Sequence, residues 1–228
     1  MIGFDPLYLM LVGPALLFGI WAQFRVKRTF ATYSKVKSLR NLTGHDVAQR
    51  ILASSGLGNV AVEETRGFLS DHYDPRSRTL RLSSEVYRSN SIAAIGIAAH
   101  ETGHAIQHAQ HYGPMGIRQT IAPLAAVGSN LFLLLIIAGM ILNITGLTWL
   151  GIIAFSIAVV FQIVTLPVEF DASRRALALV TERGMVSAEE TIGISKVLSA
   201  AGLTYVAATV AAVSQLLYYV LMASSRRD

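Results

Sequence analysis

Residues 121–168 read IAPLAAVGSNLFLLLIIAGMILNITGLTWLGIIAFSIAVVFQIVTLPV, with no charged side chain from one end to the other. An α-helix needs about 20 apolar residues to cross a bilayer, and this stretch holds two such runs, 121–142 and 148–168. Between them lies only Asn143-Ile144-Thr145-Gly146-Leu147, a short uncharged turn. The pattern predicts a transmembrane helical hairpin. Further out, residues 7–24 form another run without charge. A fourth, 203–222, is interrupted by Thr204, Thr209, Ser214 and Gln215 and either spans the bilayer or packs on the soluble part. Around the first run the basic residues follow rather than precede, which reads as an anchor and not a cleaved signal peptide. The sequence therefore predicts a mainly α-helical membrane protein with about four transmembrane helices.

Composition agrees. The chain has 228 residues, 53% hydrophobic and 14% charged, against about 25% charged in an ordinary soluble domain. A cytosolic globule and a disordered chain are both excluded. There is no cysteine, which removes disulfides, thiolate metal sites and Cys nucleophiles and leaves His, Asp and Glu for any metal chemistry. The net charge of +5 is distributed as topology rather than as a nucleic-acid patch. Arg25, Lys27, Arg28, Lys35, Lys37, Arg40 and Arg50 follow the first run, opposed by Asp46. Arg174, Arg175, Arg183 and Lys196 lie in 169–202. The positive-inside rule places both stretches in the cytoplasm of a multi-pass plasma-membrane protein, with the N-terminus and the 143–147 turn outside. Arg226 and Arg227 fit this scheme poorly. The basic run adjoins a bilayer and lacks interleaved aromatics, so lipid headgroups are its expected partner and nucleic acid is not. Trp21 and Trp149 suit interfacial anchoring.

These features divide the chain into an anchor (1–24), a cytoplasmic region (25–120), the hairpin (121–168), cytoplasmic helices (169–202) and an expected fourth transmembrane helix with its tail (203–228), and any catalytic residues are expected in 25–120. Within the cytoplasmic parts, Thr43 caps a helix over 44–54. Strands are expected at 60–62 and 79–83, the latter with period-2 alternation. Asp74-Pro75-Arg76-Ser77 is turn chemistry, so 67–83 reads as a β-hairpin. Ser91 opens a long helix to about His111, ended by Gly113-Pro114. Pro167 suits the first turn of a new helix that Gly184 terminates. Ser187 with Glu190 is a capping-box signature for one more helix, to about Ala200.

The helix from Ser91 contains His100-Glu101-Thr102-Gly103-His104. Residues four apart share one helix face, so both imidazoles can reach a single Zn²⁺ at about 2.0–2.1 Å. Glu101 is then directed at the water such an ion activates, as a general base. The plainer alternative is a set of ordinary polar residues on a helix face. Against it, the flanking residues Ile95 to Ala99 and Ala105-Ile106 are apolar, and polar groups buried among them need partners or a metal.

A hydrolytic zinc takes a third protein ligand and keeps a position open. His108 is four residues past His104, but one helix cannot wrap three successive turns around one tetrahedral ion. A third His six residues after His104 would be another known spacing, yet that position is Gln110, and His111 misses it by one. No apolar run contains an Asp. A Glu on a separate helix remains. Glu169, just past the third apolar run, is the candidate; its alternative role is a helix-start carboxylate stabilised by the macrodipole. Glu182, Glu189 and Glu190 are weaker rivals, expected to be exposed, capping or solvated.

His100-Glu101-Thr102-Gly103-His104, a transmembrane hairpin, and Glu169-Phe170-Asp171-Ala172-Ser173 together resemble the YugP-type neutral zinc metallopeptidases, small bacterial membrane proteins. Asp71-His72-Tyr73-Asp74-Pro75 matches as well, so the resemblance covers most of the chain. More distantly it is similar to the membrane gluzincins, the HtpX heat-shock proteases and the CAAX prenyl proteases. The resemblance implies a zincin-like cytoplasmic catalytic domain with a small β-hairpin or sheet. It also implies zinc held by His100, His104 and Glu169, and Glu101 as catalytic base. Gluzincins commonly place an Asp four residues after the ligand Glu, as partner to a ligand His. Here that position is Ser173, and Asp171, two residues after Glu169, is expected to face elsewhere. Either Ser173 takes the role more weakly, or Asp171 reorients, or the partner differs.

The expected function is a membrane-bound zinc endopeptidase acting on a polypeptide substrate, which could add to a free edge of the 79–83 strand. Arg174, His72 and Tyr205 are candidate oxyanion stabilisers, although Arg174 and Arg175 also suit cytoplasmic anchoring. His45 reads as a surface residue. The alternative is a non-proteolytic scaffold or regulator with a structural zinc. Structural zinc sites are usually closed by four protein ligands, often Cys, which argues against it. A transporter is disfavoured because the apolar runs hold no charge.

Overall fold

A computed structural model describes residues 5–67 and 70–225. In order, the elements are α1 (Pro6–Tyr33), α2 (Gly44–Ser54), β1 (Ala61–Thr65), β2 (His72–Asp74), β3 (Thr79–Ser83), α3 (Ser84–Tyr87), α4 (Ile92–Ala109), α5 (Gly113–Ile141), α6 (Thr145–Glu182) and α7 (Ala188–Ser224). Contacts group the chain into two compact units. One comprises Pro114–Pro167 with the described parts of Met1–Gln23 and Thr204–Asp228; the other comprises Phe24–Gly113 and Val168–Leu203.

The first unit is helical. Helices α1, α5, α6 and α7 are each long and apolar enough to cross a membrane. Its surface carries exposed Met10, Leu17, Leu134 and Ile141 among other large apolar side chains, as a lipid-facing surface does. Inside, Phe132, Phe155 and Tyr219 form an aromatic cluster with centroids 4.5–6.0 Å apart. Gly151 lets α6 approach the α5 backbone: a Cβ there would lie 2.8 Å from the Phe132 carbonyl oxygen. Small residues at such contacts are what close helix packing in lipid requires. Tyr218 donates to Asp5 at 2.7 Å, joining the start of α1 to the last turns of α7.

The second unit is built around α4, which Ser91 caps by accepting from the Ala94 N–H. A helix that is apolar nearly all round must be buried on all sides, and α4 lies between two cores. On one side Ala94, Ala98 and Ala105 meet Leu80, Leu82 and Val86 of β3 and α3, with Leu52 of α2. On the other, Ile95, Ala99 and Ile106 meet Ala176, Val180, Ile194 and Leu198 of α6 and α7. The sheet order is β1-β3-β2, with β1 parallel and β2 antiparallel to β3.

Several expectations are corrected. Pro167 does not start a helix; α6 runs unbroken from Thr145 to Glu182 with Pro167 inside it. A proline removes one N–H, here the donor to the Ile163 carbonyl, but its φ angle is helical, and long apolar helices tolerate such a break in their hydrogen bonding. The Ser187–Glu190 capping box is present, yet α7 continues past Ala200 to Ser224 because nothing in 200–203 breaks it. α1 extends beyond its apolar run to Tyr33. α4 ends at Ala109, where His111 takes a positive φ of 52°, and Gly113-Pro114 opens α5. The 72–83 part of the expected hairpin forms, around the turn at 75–78. Its strand β3, however, is central and not an edge, because β1 pairs along its other side. A substrate strand cannot add to β3. The expected start of the hairpin partly falls on 68–69, and Arg226 and Arg227 likewise lie outside the described residues.

Candidate active site

His100 and His104 project from one face of α4, ring centroids 4.7 Å apart and nearly perpendicular. Glu169, 3% exposed, comes from α6. Its Oε2 lies 3.2 Å from His100 Nε2 and 3.6 Å from His104 Nε2. One ligand atom from each of the three lies within 4.8 Å of the others, a group that could hold a metal ion. Gly103 makes the approach possible. A Cβ at that position would stand 2.7 Å from the Ala172 carbonyl oxygen, so only glycine lets α6 press onto α4 at this level.

The donor set suits a divalent metal. Gln107, fully buried, gives its Nε2 to the Val168 carbonyl at 2.8 Å and to Asp171 Oδ2 at 2.9 Å. Both are acceptors only, which fixes the amide nitrogen there and turns Oε1 toward His104 Nδ1, 3.0 Å away. An amide oxygen accepts, so His104 donates to it from Nδ1 and turns Nε2 toward Glu169. Burial disfavours the charged form of this ring, but the hydrogen bond to Glu169 and the charges of Glu101 and Glu169 outweigh it and hold its pKa above the ordinary value. Ser173 Oγ sits 3.1 Å from His100 Nδ1. Ser173 thus takes a histidine, and Asp171, expected to face elsewhere, reaches the other one through Gln107. Asp171 is in turn paired with Arg174 and Arg175.

Glu101, buried beside the histidines, accepts the Tyr73 main-chain N–H of β2 at 3.0 Å through Oε2. The start of β2 is held by Asp71, which accepts the Ser83 N–H at 2.8 Å and the Ser83 hydroxyl at 3.0 Å. Burial pushes the Asp71 carboxyl up against these bonds, with the charge of Glu101 adding to the rise. At the other end Asp74 is held at about 2 by hydrogen bonds from the Ser77 hydroxyl and the Arg76 N–H, with Arg81 contributing.

Other candidates go elsewhere. Arg174 is largely exposed and engaged by Asp171. His72 is exposed on β2, its Nδ1 2.8 Å from the Ser70 carbonyl. Tyr205 belongs to the helical unit. His45 packs at a tilt on Tyr87 with centroids 4.5 Å apart, and His108 meets the Tyr73 hydroxyl at 2.9 Å. Glu182 and Glu189 are exposed. Glu190 is buried, contrary to expectation, because it binds the N–H groups of Leu39 and Ser187. Gln107 and Tyr73 were not foreseen as parts of the site. For Gln107 the available signal was its place on an apolar helix one turn after His104.

This geometry, two imidazoles and a carboxylate from separate helices, gives a chain with four candidate membrane spans a candidate metal centre. The chain belongs to the family described as "Putative neutral zinc metallopeptidase", whose model matches residues 8–224. It is 47% identical over 222 residues to the "Putative membrane protease YugP" of Bacillus subtilis (strain 168), covering 97% of this chain and 99% of that relative. No solved structure matches.

Proposed function

We propose that the protein is a membrane-bound, zinc-dependent endopeptidase whose metal ligands are His100, His104 and Glu169 and whose general base is Glu101. The observation that carries this reading is the convergence of three ligand atoms, those of half-buried His100 and buried His104 and Glu169, within 4.8 Å. Zinc held there would supply Lewis acidity, lowering the pKa of a water to about 7 and polarising the peptide carbonyl. Gln107 and Ser173 keep the imidazoles turned with Nε2 toward Glu169. The Tyr73 N–H holds Glu101 by Oε2, leaving Oε1 to take a proton from water and return it to the leaving amine. With both edges of β3 occupied, the strand available to an extended polypeptide beside Glu101 is β2.

The site faces the cytoplasm of the plasma membrane in this reading. The basic residues after the first apolar run and in 169–202 support that side by the positive-inside rule. The Asp5–Tyr218 hydrogen bond puts the start of α1 and the last turns of α7 at one end of the helical unit, as four spans require.

Peptide-library cleavage by the purified full-length protein tests the proposal. Cleavage is expected to stop with chelator and return with zinc. Glu101→Gln should retain zinc and lose at least about a hundredfold in kcat, as for removal of a general base. Undiminished cleavage by Glu101→Gln, or by chelated protein, would overturn it and leave a structural metal as the better reading.

A further inference from the structure

A cavity of about 240 Å³ lies between the C-terminal half of α4 and one end of the sheet, lined by Asn59, Tyr73, Arg78, Ala105, His108 and His111 among others. Three of its lining side chains are basic types, and none is acidic. Arg78 ends the β2–β3 turn with a positive φ of 51°. Among the described residues Arg78 is in no ion pair, like Arg76 of the same turn, whereas Arg81 of β3 is committed to Glu63 and Asp74. The Tyr73 hydroxyl meets His108 Nδ1 at 2.9 Å. With Tyr73 donating there, the ring keeps its proton on Nε2, a donor with no protein acceptor among the described residues. Burial, then the positive charges of Arg78 and His111, hold the His108 pKa down, as expected for a cationic cavity.

The cavity is tied to the candidate site. Tyr73 gives its main-chain N–H to Glu101 and its phenol to His108. Along α4, Glu101, Ala105 and His108 follow the i, i+4, i+7 spacing of a single face. At 1.5 Å per residue, Glu101 and His108 are about 10 Å apart along the axis, roughly three residues of extended chain. The volume is below the roughly 300–1,000 Å³ of small-molecule sites and suits one side chain or a chain end.

We propose that this cavity is a subsite for a carboxylate of the polypeptide substrate, either an acidic side chain or the C-terminal carboxylate, bound by Arg78 with His108 and His111. The proposal rests on the peptidase reading above. A carboxylate supplies the counter-charge that Arg78 lacks and acceptors for the imidazole N–H groups.

The test uses zinc-loaded full-length protein and internally quenched peptides in matched pairs. A single Glu is walked through positions around the cleaved bond against Gln, and a free C-terminus is compared with an amidated one. One position, or the free terminus, is expected to lower KM about tenfold relative to its neutral partner, in line with a charge-assisted hydrogen bond at a partly exposed site. The arm that shows the preference identifies the source of the carboxylate. Arg78→Gln should bring the ratio to within about twofold, and Arg78→Glu should invert it. No preference in either arm, or a ratio unchanged in Arg78→Gln, overturns the proposal. Should no peptide be cleaved, the peptidase reading fails by itself. The cavity is then judged by the fluorescence anisotropy of labelled Glu and Gln peptides on the same protein. Preference lost in Arg78→Gln supports it, and equal binding of the two peptides refutes it.

Discussion

His100 and His104 stand one turn apart on one helix, yet they lean on unlike chemistry. His104 donates to a buried amide, the amide donates to Asp171, and Asp171 is neutralised by two arginines. His100 meets, at its Nδ1, the hydroxyl of Ser173. A chain of hydrogen bonds ending on a carboxylate makes an imidazole a stronger and better-oriented ligand than a lone neutral hydroxyl does. In the proposed zinc site this difference would make His104 the fixed ligand and His100 the more adjustable one. It also shows how a site can lack an Asp at the expected position and still draw on a carboxylate, by routing it through a side chain of the other helix.

The comparison depends on α6 pressing against α4, and Gly103→Ala should break both halves together. The added Cβ would meet the Ala172 carbonyl 2.7 Å away. Overpacking of this kind costs about 1–3 kcal/mol. The displaced turn carries Glu169 one turn before Ala172 and Ser173 immediately after it. Zinc affinity, measured by competition with a chromophoric chelator, is expected to fall by more than about a hundredfold, with a lower melting temperature. Wild-type zinc affinity in Gly103→Ala would show that the close contact does not set the ligand geometry.

Within the intact packing, the two supports should separate. Gln107→Leu leaves the His104 Nδ1–H and Asp171 Oδ2 buried without their amide, and zinc affinity is expected to drop toward the upper end of the 10–100-fold typical of such partners (about 50-fold). Ser173→Ala should cost less, about three- to tenfold. Ser173→Asp, restoring a carboxylate, should recover or exceed wild-type affinity. Equal losses in Gln107→Leu and Ser173→Ala would erase the asymmetry.

Much of this site was legible because spacing along a helix is rigid. His100, His104 and Gly103 belong to one short motif, and Glu169 followed from the elimination of other ligands. The Thr43 cap was equally local, and α2 begins and ends where it was read. What escaped was non-local. Gln107 looked like one more residue of an apolar helix, and its role depends on Asp171 lying across the helix contact. The parallel pairing of β1 with β3 is invisible to a period-2 pattern, which reports that a strand is half-buried but not which strand lies beside it. Pro167 was read by its local preference, and the continuous helix overrode it.

The same contrast of buried against solvated support recurs, more weakly, at the two ends of β2, the strand that hands its N–H to Glu101. Asp74, held at about 2, has a folded-state pKa below its unfolded value of about 3.9. Its contribution to stability is therefore complete above that value and is lost as pH falls toward 2. Asp71 is shifted upward by burial, so its contribution is present below the unfolded value and is lost as pH rises through the folded one. Ionisation of Asp71 works against folding, whereas ionisation of Asp74 works for it. Metal-free protein isolates these effects from zinc binding. Asp74→Asn should melt lower than wild type at pH 7, by no more than about 4 °C, with the gap closing as pH approaches 2. Asp71→Asn, whose amide oxygen can still accept from Ser83, should melt at or above wild type at pH 7 and lose that advantage near pH 4. Parallel pH profiles for the two variants would mean that burial does not distinguish these ends of the strand.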